Sequence, residues 1–332
     1  MLSKETYKNI DQISVISRGF MQSQILITAC ELNMFTIIGE EGKKLEDILK
    51  ITDTDKRATE ILLNALTSMG FLYKKGTFYE NSPLSKEHLI EGKKFYMGHS
   101  IKHAGDLYKR WSELPGIVRT GQPVKSGVEK RRESPEETRR FIMAMANVGA
   151  FSVEELVNAT DFTGKKHFLD IGGGPGTYAI GLCSKYPDLK ATVFDLPEVV
   201  PIAEEQIVKA GMGERIDTKG GDYLKDPVGS GYDIILISNI IHSLGEHDIL
   251  LLFGKARKAL SDGGELIVKD FFPEDDRTGP EYPLVFAVNM LSGTKEGNTY
   301  TGKEITEWLK QSGFTEVEIK KLTPYTSIAV GK

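Results

Sequence analysis

Apolar residues recur every three or four positions through the first seventy residues, and farther along they gather into short unbroken runs. Ile25, Leu26, Ala29, Leu32, Phe35 and Ile38 keep helical spacing and predict one continuous helix. Leu45, Ile48 and Leu49 predict a short second helix. Ile61, Leu62, Ala65, Leu66 and Met69 predict a third, with Asp55 as its cap and Gly70 as its stop. Residues 71–79 predict two short strands about a Lys-Gly turn. Three helices and a hairpin make a winged-helix pattern for residues 1–100. Residues 101–160 are expected to form a helical linker, interrupted by Gly116, Gly121, Pro123 and Gly127. Phe141, Met143, Met145, Val148 and Phe151 then lead into a second domain, residues 161–332.

From His167 onward the pattern alternates. Phe168-Leu169-Asp170-Ile171 predicts a strand, followed by a glycine loop and a helix through Tyr186. Ala191-Thr192-Val193-Phe194 predicts the next strand, with a helix over 199–210. Residues 232–237 and 265–268 predict further buried strands, joined by a helix carrying Ile249, Leu252, Phe253, Ala256 and Leu260. Such alternation implies an α/β fold whose parallel sheet is covered on both faces, with ligands at the carboxyl ends of its strands. Residues 317–319 and 327–330 flank a Thr-Pro-Tyr-Thr turn and predict a closing antiparallel hairpin.

Composition narrows the function. The 332 residues carry a net charge of −5, so no global positive field recruits nucleic acid or anionic lipid. Residues 1–100 hold 13 basic and 13 acidic side chains. Phosphate contacts dominate DNA affinity, so this neutral winged helix is expected to serve in packing or dimerisation rather than in DNA binding. The run 125–140, with six basic and four acidic residues, suits a solvated face. No apolar run approaches the ~20 residues of a spanning helix. The start is too polar for a secretory signal, and Cys30 and Cys183 sit in apolar helical patterns. A reduced, cytoplasmic protein without a membrane partner is expected.

The chemistry gathers around Asp170-Ile171-Gly172-Gly173-Gly174-Pro175-Gly176, a loop between strand and helix. Glycines there let the backbone turn tightly and approach a ligand closely. The dinucleotide pattern G-x-G-x-x-G would need a third glycine at 177, which is Thr, and no Lys-Ser/Thr pair follows to make a P-loop. Asp195 ends the second strand 25 residues after Asp170, where a carboxylate can accept ribose hydroxyls. The third strand ends in Gly220-Gly221-Asp222-Tyr223, where Asp222 can accept from an adenine amino group and Tyr223 can flank the ring. Each Asp alone is also a plausible loop cap. His242 follows the buried run 234–237 and faces the crevice, where a side chain titrating near neutral pH suits proton transfer. A structural histidine is the plainer alternative.

Taken together, Asp170–Gly176, Phe194-Asp195-Leu196-Pro197, Gly221-Asp222-Tyr223-Leu224, Ile240-Ile241-His242 and Asn289-Met290-Leu291 resemble the S-adenosylmethionine-dependent O-methyltransferases. That family includes caffeate-type, acetylserotonin and antibiotic-tailoring members. The likeness runs from about Ile16 to the end. It implies a Rossmann-like class I methyltransferase sheet, S-adenosylmethionine as cofactor, and a homodimer made through the N-terminal winged-helix domain. It implies that Asp170, Gly172, Gly174, Asp195, Leu196, Asp222, Tyr223 and Ser238 hold the cofactor. Trp111, Phe141, Met145, Asn289 and Met290 would line the pocket of a small aromatic or polycyclic acceptor. His242 matches the family's general base, and Asp270, ending the next strand, matches a carboxylate that steadies it.

The sequence departs from the plant pattern at several positions. Ser238 stands where plant members carry Lys, His242-Ser243-Leu244 replaces His-Asp-Trp, and the family's second carboxylate is missing. Glu296 is near enough to substitute for it. A carbon- or nitrogen-methylating enzyme of the same fold and a winged-helix regulator sensing the cofactor are the rival readings. No metal is expected. His242 and His247 share no helical face, and no Glu or Cys completes a site with His99 and His103.

Overall fold

The computed structural model describes residues 4–123 and 134–332, so Gly127 and positions 125–133 of the mixed-charge run lie outside the described residues. The chain divides into two compact units, Met1–Tyr108 and Lys109–Lys332. Residues 101–160, expected as a linker, are therefore shared between the two.

The first unit opens with a 28-residue helix, Lys4–Glu31, and a short one, Met34–Ile38. The apolar spacing over 25–38 predicts one helix, but the chain breaks at Asn33, whose φ of 52° is left-handed. Asparagine tolerates that conformation, and the break turns Met34, Phe35 and Ile38 into the core. Asn81 Nδ2 then holds the short helix at both ends, donating to the Phe35 and Gly39 carbonyls at 2.8 and 2.9 Å. Helices Leu45–Thr52 and Lys56–Ser68 follow, the latter capped by Asp55, which accepts from Ala58 N–H at 2.8 Å. Strands β1 (Lys43–Lys44), β2 (Leu72–Lys75) and β3 (Phe78–Asn81) form an antiparallel sheet in the order β1-β3-β2. Ile13, Val15, Ile16, Phe20 and Met21 of the first helix are exposed.

The second unit is built on a seven-stranded sheet. Its strands are β4 (His167–Ile171), β5 (Lys190–Asp195), β6 (Ile216–Gly220), β7 (Tyr232–Ser238), β8 (Leu260–Asp270), β9 (Val317–Lys321) and β10 (Ser327–Gly331). The order is β6-β5-β4-β7-β8-β10-β9, parallel through β8, with β10 antiparallel to both its neighbours. Alternate side chains of the central strands feed two cores. Leu169, Ile171, Ile235, Ile237 and Val268 face one, while Phe168, Val193, Ile234, Leu236 and Ile267 face the other. Burial on both faces is what the unbroken apolar runs require. Chain order reverses between β4 and β7, and that switch point opens a crevice outside the carboxyl ends of the strands. Among the described residues no helix is long and apolar enough to cross a membrane. Burial pushes the thiols of Cys30 and Cys183 up to about 12 and about 11, as expected of cysteines acting as small apolar groups.

Candidate active site

The glycine loop leaves β4 and enters the helix Thr177–Lys185. Gly172, Gly174 and Gly176 all have positive φ, at 68°, 55° and 78°, which L side chains adopt only with strain. A methyl group at Gly172 would also collide with Ile240 of the facing loop. The loop is pinned across the strand ends: Gly172 N–H donates to the Phe194 carbonyl at 2.7 Å, and Gly174 N–H donates to Asp195 Oδ2 at 2.7 Å. Asp195 Oδ1 accepts from Leu196 N–H, also at 2.7 Å.

Asp170 sits beneath this loop, 1% exposed, and its Oδ2 has no hydrogen-bond partner. Burial first, and the nearby charge of Asp195 second, push its carboxyl up to about 7. Ser238, at the end of β7, likewise buries an Oγ without a partner. Asp222 is engaged locally: Oδ1 accepts from Leu224 N–H at 3.1 Å and Oδ2 pairs with Lys225 at 2.8 Å. Burial, reinforced by the charge of Asp195, pushes the Tyr223 phenol up to about 12 against the influence of Ser243.

His242 lies in a single 3₁₀ turn, Ile241–Ser243, just beyond β7. Its Nδ1 is 2.7 Å from Asp270 Oδ1, and its backbone N–H donates to Asp270 Oδ2 at 3.3 Å. Phe271 N–H donates to Oδ1 as well, at 2.9 Å. Asp270 therefore grips the turn twice, and with a carboxylate accepting at Nδ1 the lone pair of the neutral ring falls on Nε2. Both side chains are nearly enclosed, His242 at 12% and Asp270 at 3% exposure. Phe286 meets the imidazole edge-on, centroids 4.9 Å apart, and Phe271 stacks at 6.2 Å. Tyr282 closes the group, 5.1 Å from Phe271. The Tyr300 hydroxyl donates to the Leu244 carbonyl and so anchors the chain just past His242.

The acceptor-side residues are partly assembled. Trp111 Nε1 donates to Asn289 Oδ1 at 3.1 Å, and Met290 is buried beside Asn289 on the helix Glu281–Gly293. Phe141 instead packs with Ile142, Val199, Ile202 and Leu196, and Met145 is half-buried. Glu296 is a correction: it has no hydrogen bond or ion pair to His242. Gly297 N–H donates to Thr294 Oγ1 at 2.9 Å, and the Glu296 side chain lies over Gly245, where a methyl group would collide with it. There the exposed carboxylate pairs with Lys295 at 3.7 Å and borders a separate cavity of about 350 Å³ with Ser243, His247 and Asp248. Sequence reasoning missed Phe271, Phe286 and Tyr300. Only Phe286 left a trace, three and four residues before Asn289 and Met290 on one helical face.

The sheet order, the glycine loop at its switch point and the carboxylates along its edge define a class I S-adenosylmethionine-dependent methyltransferase. The cofactor fits what is present. Two buried polar atoms, Asp170 Oδ2 and Ser238 Oγ, lack partners, and the loop backbone is bare where a nucleoside-bearing ligand must come close.

Comparison with known proteins agrees. An O-methyltransferase domain model matches residues 111–315 and an O-methyltransferase dimerisation domain model matches residues 15–91. The chain is 32% identical over 306 residues to a 3-hydroxy-5-methyl-1-naphthoate 3-O-methyltransferase of Streptomyces sahachiroi, covering 91% of this chain and 88% of that one. It is 31% identical to the tetracenomycin polyketide synthesis 8-O-methyl transferase TcmO of Streptomyces glaucescens, covering 96% and 95%. Human N-acetylserotonin methyltransferase, solved with S-adenosylmethionine, superposes with a TM-score of 0.90 at 26% identity, covering 100% and 99%. The protein belongs to the S-adenosylmethionine-dependent O-methyltransferase family.

Proposed function

We propose that His242 is the general base for methylation of a phenolic hydroxyl on a small aromatic or polycyclic acceptor. The observation that carries this reading is the Asp270–His242 contact at 2.7 Å, at the carboxyl edge of the sheet. His242 Nε2 takes the proton of the acceptor hydroxyl, and Asp270 stabilises the imidazolium that results. Phe271 and Phe286 keep water from the ring and hold it in plane. When bound, S-adenosylmethionine supplies an electrophilic methyl group, and the thioether S-adenosylhomocysteine is left. Asp195 and Asp222 hold ribose and adenine, while Ser238 and Asp170 face the amino-acid end.

The naphthoate and polyketide acceptors in the names of two relatives support an aromatic acceptor. The dimerisation-domain match and the exposed Ile13, Ile16 and Phe20 support a homodimer through the first unit. Two buried free thiols suit a reducing cytoplasm. The test is S-adenosylhomocysteine formation when the purified protein meets S-adenosylmethionine and an extract of small molecules, beside His242→Ala. Product that requires His242, with a new methyl ether found by mass, is the expected result. Product of equal yield in the variant removes His242 from the reaction.

A further inference from the structure

Arg110 is a partly buried cation with no carboxylate partner among the described residues. It occupies the last turn of the helix Gly98–Trp111, and its guanidinium fits against Gly293, where a methyl group would collide with it. Its Nη2 donates to Asn289 Oδ1 at 2.7 Å, the same oxygen that accepts from Trp111. Its buried Nε likewise has no hydrogen-bond partner among the described residues. Burial lowers its pKa, the direction expected of a desolvated cation. With Asn289 Oδ1 committed twice, the amide NH₂ of that side chain has no partner among the described residues.

Geometry relates this arginine to the catalytic turn. Phe286, Asn289, Met290 and Gly293 stand at i, i+3, i+4 and i+7, along one face of a single helix. Phe286 touches the His242 ring. At ~1.5 Å of rise per residue, Asn289 lies roughly 5 Å and Gly293 roughly 10 Å farther along that axis. Such a span suits one or two fused aromatic rings.

We propose that Arg110 and the Asn289 amide form an anion subsite, and that the acceptor is a hydroxyaryl carboxylate whose acid group lies across the ring system from its hydroxyl. This rests on the reading of His242 as the base beside the acceptor hydroxyl. A guanidinium fork matches a carboxylate in two parallel hydrogen bonds, and Asn289 aligns that fork through Nη2 while offering its own NH₂ to the same anion. The hydroxyl then falls to His242 and the ring lies along Met290.

The experiment compares 6-hydroxy-2-naphthoate with its methyl ester, titrated by calorimetry into the dimer saturated with S-adenosylhomocysteine. The acid should bind at least about tenfold more tightly than the ester. Arg110→Gln should abolish that preference, Arg110→Lys should retain part of it, and both should bind S-adenosylhomocysteine like the wild type, which shows that they are folded. Equal affinity of acid and ester, a preference that survives Arg110→Gln, or no binding of either probe overturns the subsite. Methylation of the ester as readily as the acid also overturns it while leaving His242 in place. An Arg110-dependent preference for the acid without His242-dependent methylation supports the subsite and overturns the base.

Discussion

The His242 end of the sheet edge, at β7 and β8, closes on itself, whereas the glycine-loop end, at β4 and β5, is left open. Asp270 accepts from the His242 ring, the His242 backbone and Phe271, and three aromatic rings complete the enclosure. Asp170, four strands of chain earlier, is as deeply buried, yet one of its oxygens has no partner among the described residues and burial pushes its carboxyl up to about 7. An unpaired buried polar atom costs about 1–3 kcal/mol. The difference shows where a ligand would matter: the His242–Asp270 pair is held without one, while the floor under the glycine loop keeps an unpartnered oxygen.

The strongest way to break the comparison is His242→Ala, which removes the base and leaves the open end intact. Its kcat should fall by ~10²–10⁴, with S-adenosylhomocysteine affinity unchanged in calorimetry. A matching loss of cofactor affinity would show that the two ends are not independent. Asp195→Asn attacks the other end, weakening the anchor of Gly174 and the ribose acceptor. Losing a hydrogen bond to a charged group should raise the Kd of S-adenosylhomocysteine by about 10–100-fold, read by the same titration.

Asp170→Asn sharpens the contrast through pH. Between its ordinary value of 3.8 and about 7, the folded protein keeps a proton that the unfolded chain has released. Stability of the cofactor-free protein therefore falls as pH rises through that window, and the Asn variant should flatten the slope of Tm against pH. Cofactor binding near pH 6 should release protons from the wild type and fewer from the variant, measurable from the buffer dependence of the binding heat. Tyr300→Phe makes the smallest change. Freeing the Leu244 carbonyl should lower stability by about 1–3 kcal/mol and kcat by only a few-fold, in denaturant melts and steady-state assays.

What was legible in the sequence was what a strand end carries. Asp170, Asp195, Ser238, His242 and Asp270 each lie in or just past an apolar run, and Asp222 follows the Gly220-Gly221 pair, so period and punctuation place them on one edge without any knowledge of packing. The parallel sheet and its closing hairpin followed from the same alternation, whereas the strand order is seen only in the structure. The rest depends on side chains meeting across distant elements. Phe271 and Phe286 come from a strand end and a helix, and nothing in their spacing announces that they meet at His242. Glu296 looked close enough to serve His242, but its exposed carboxylate lies over Gly245 and pairs with Lys295. Asn33 broke a helix that apolar spacing alone would have continued, because a left-handed residue leaves the pattern of its neighbours unchanged.

The place of β10 sets an order of events during synthesis. All five of its residues are buried, and it lies between β8 and β9, both of which the ribosome makes first. A nascent chain that has emerged through β9 cannot pair it with β8, since the strand between them is still to come. Until then the edge of β8 that ends in Asp270 lacks this partner. The strand end that carries Asp270, and through it the His242 turn, therefore gains its second neighbour only when β10 is made.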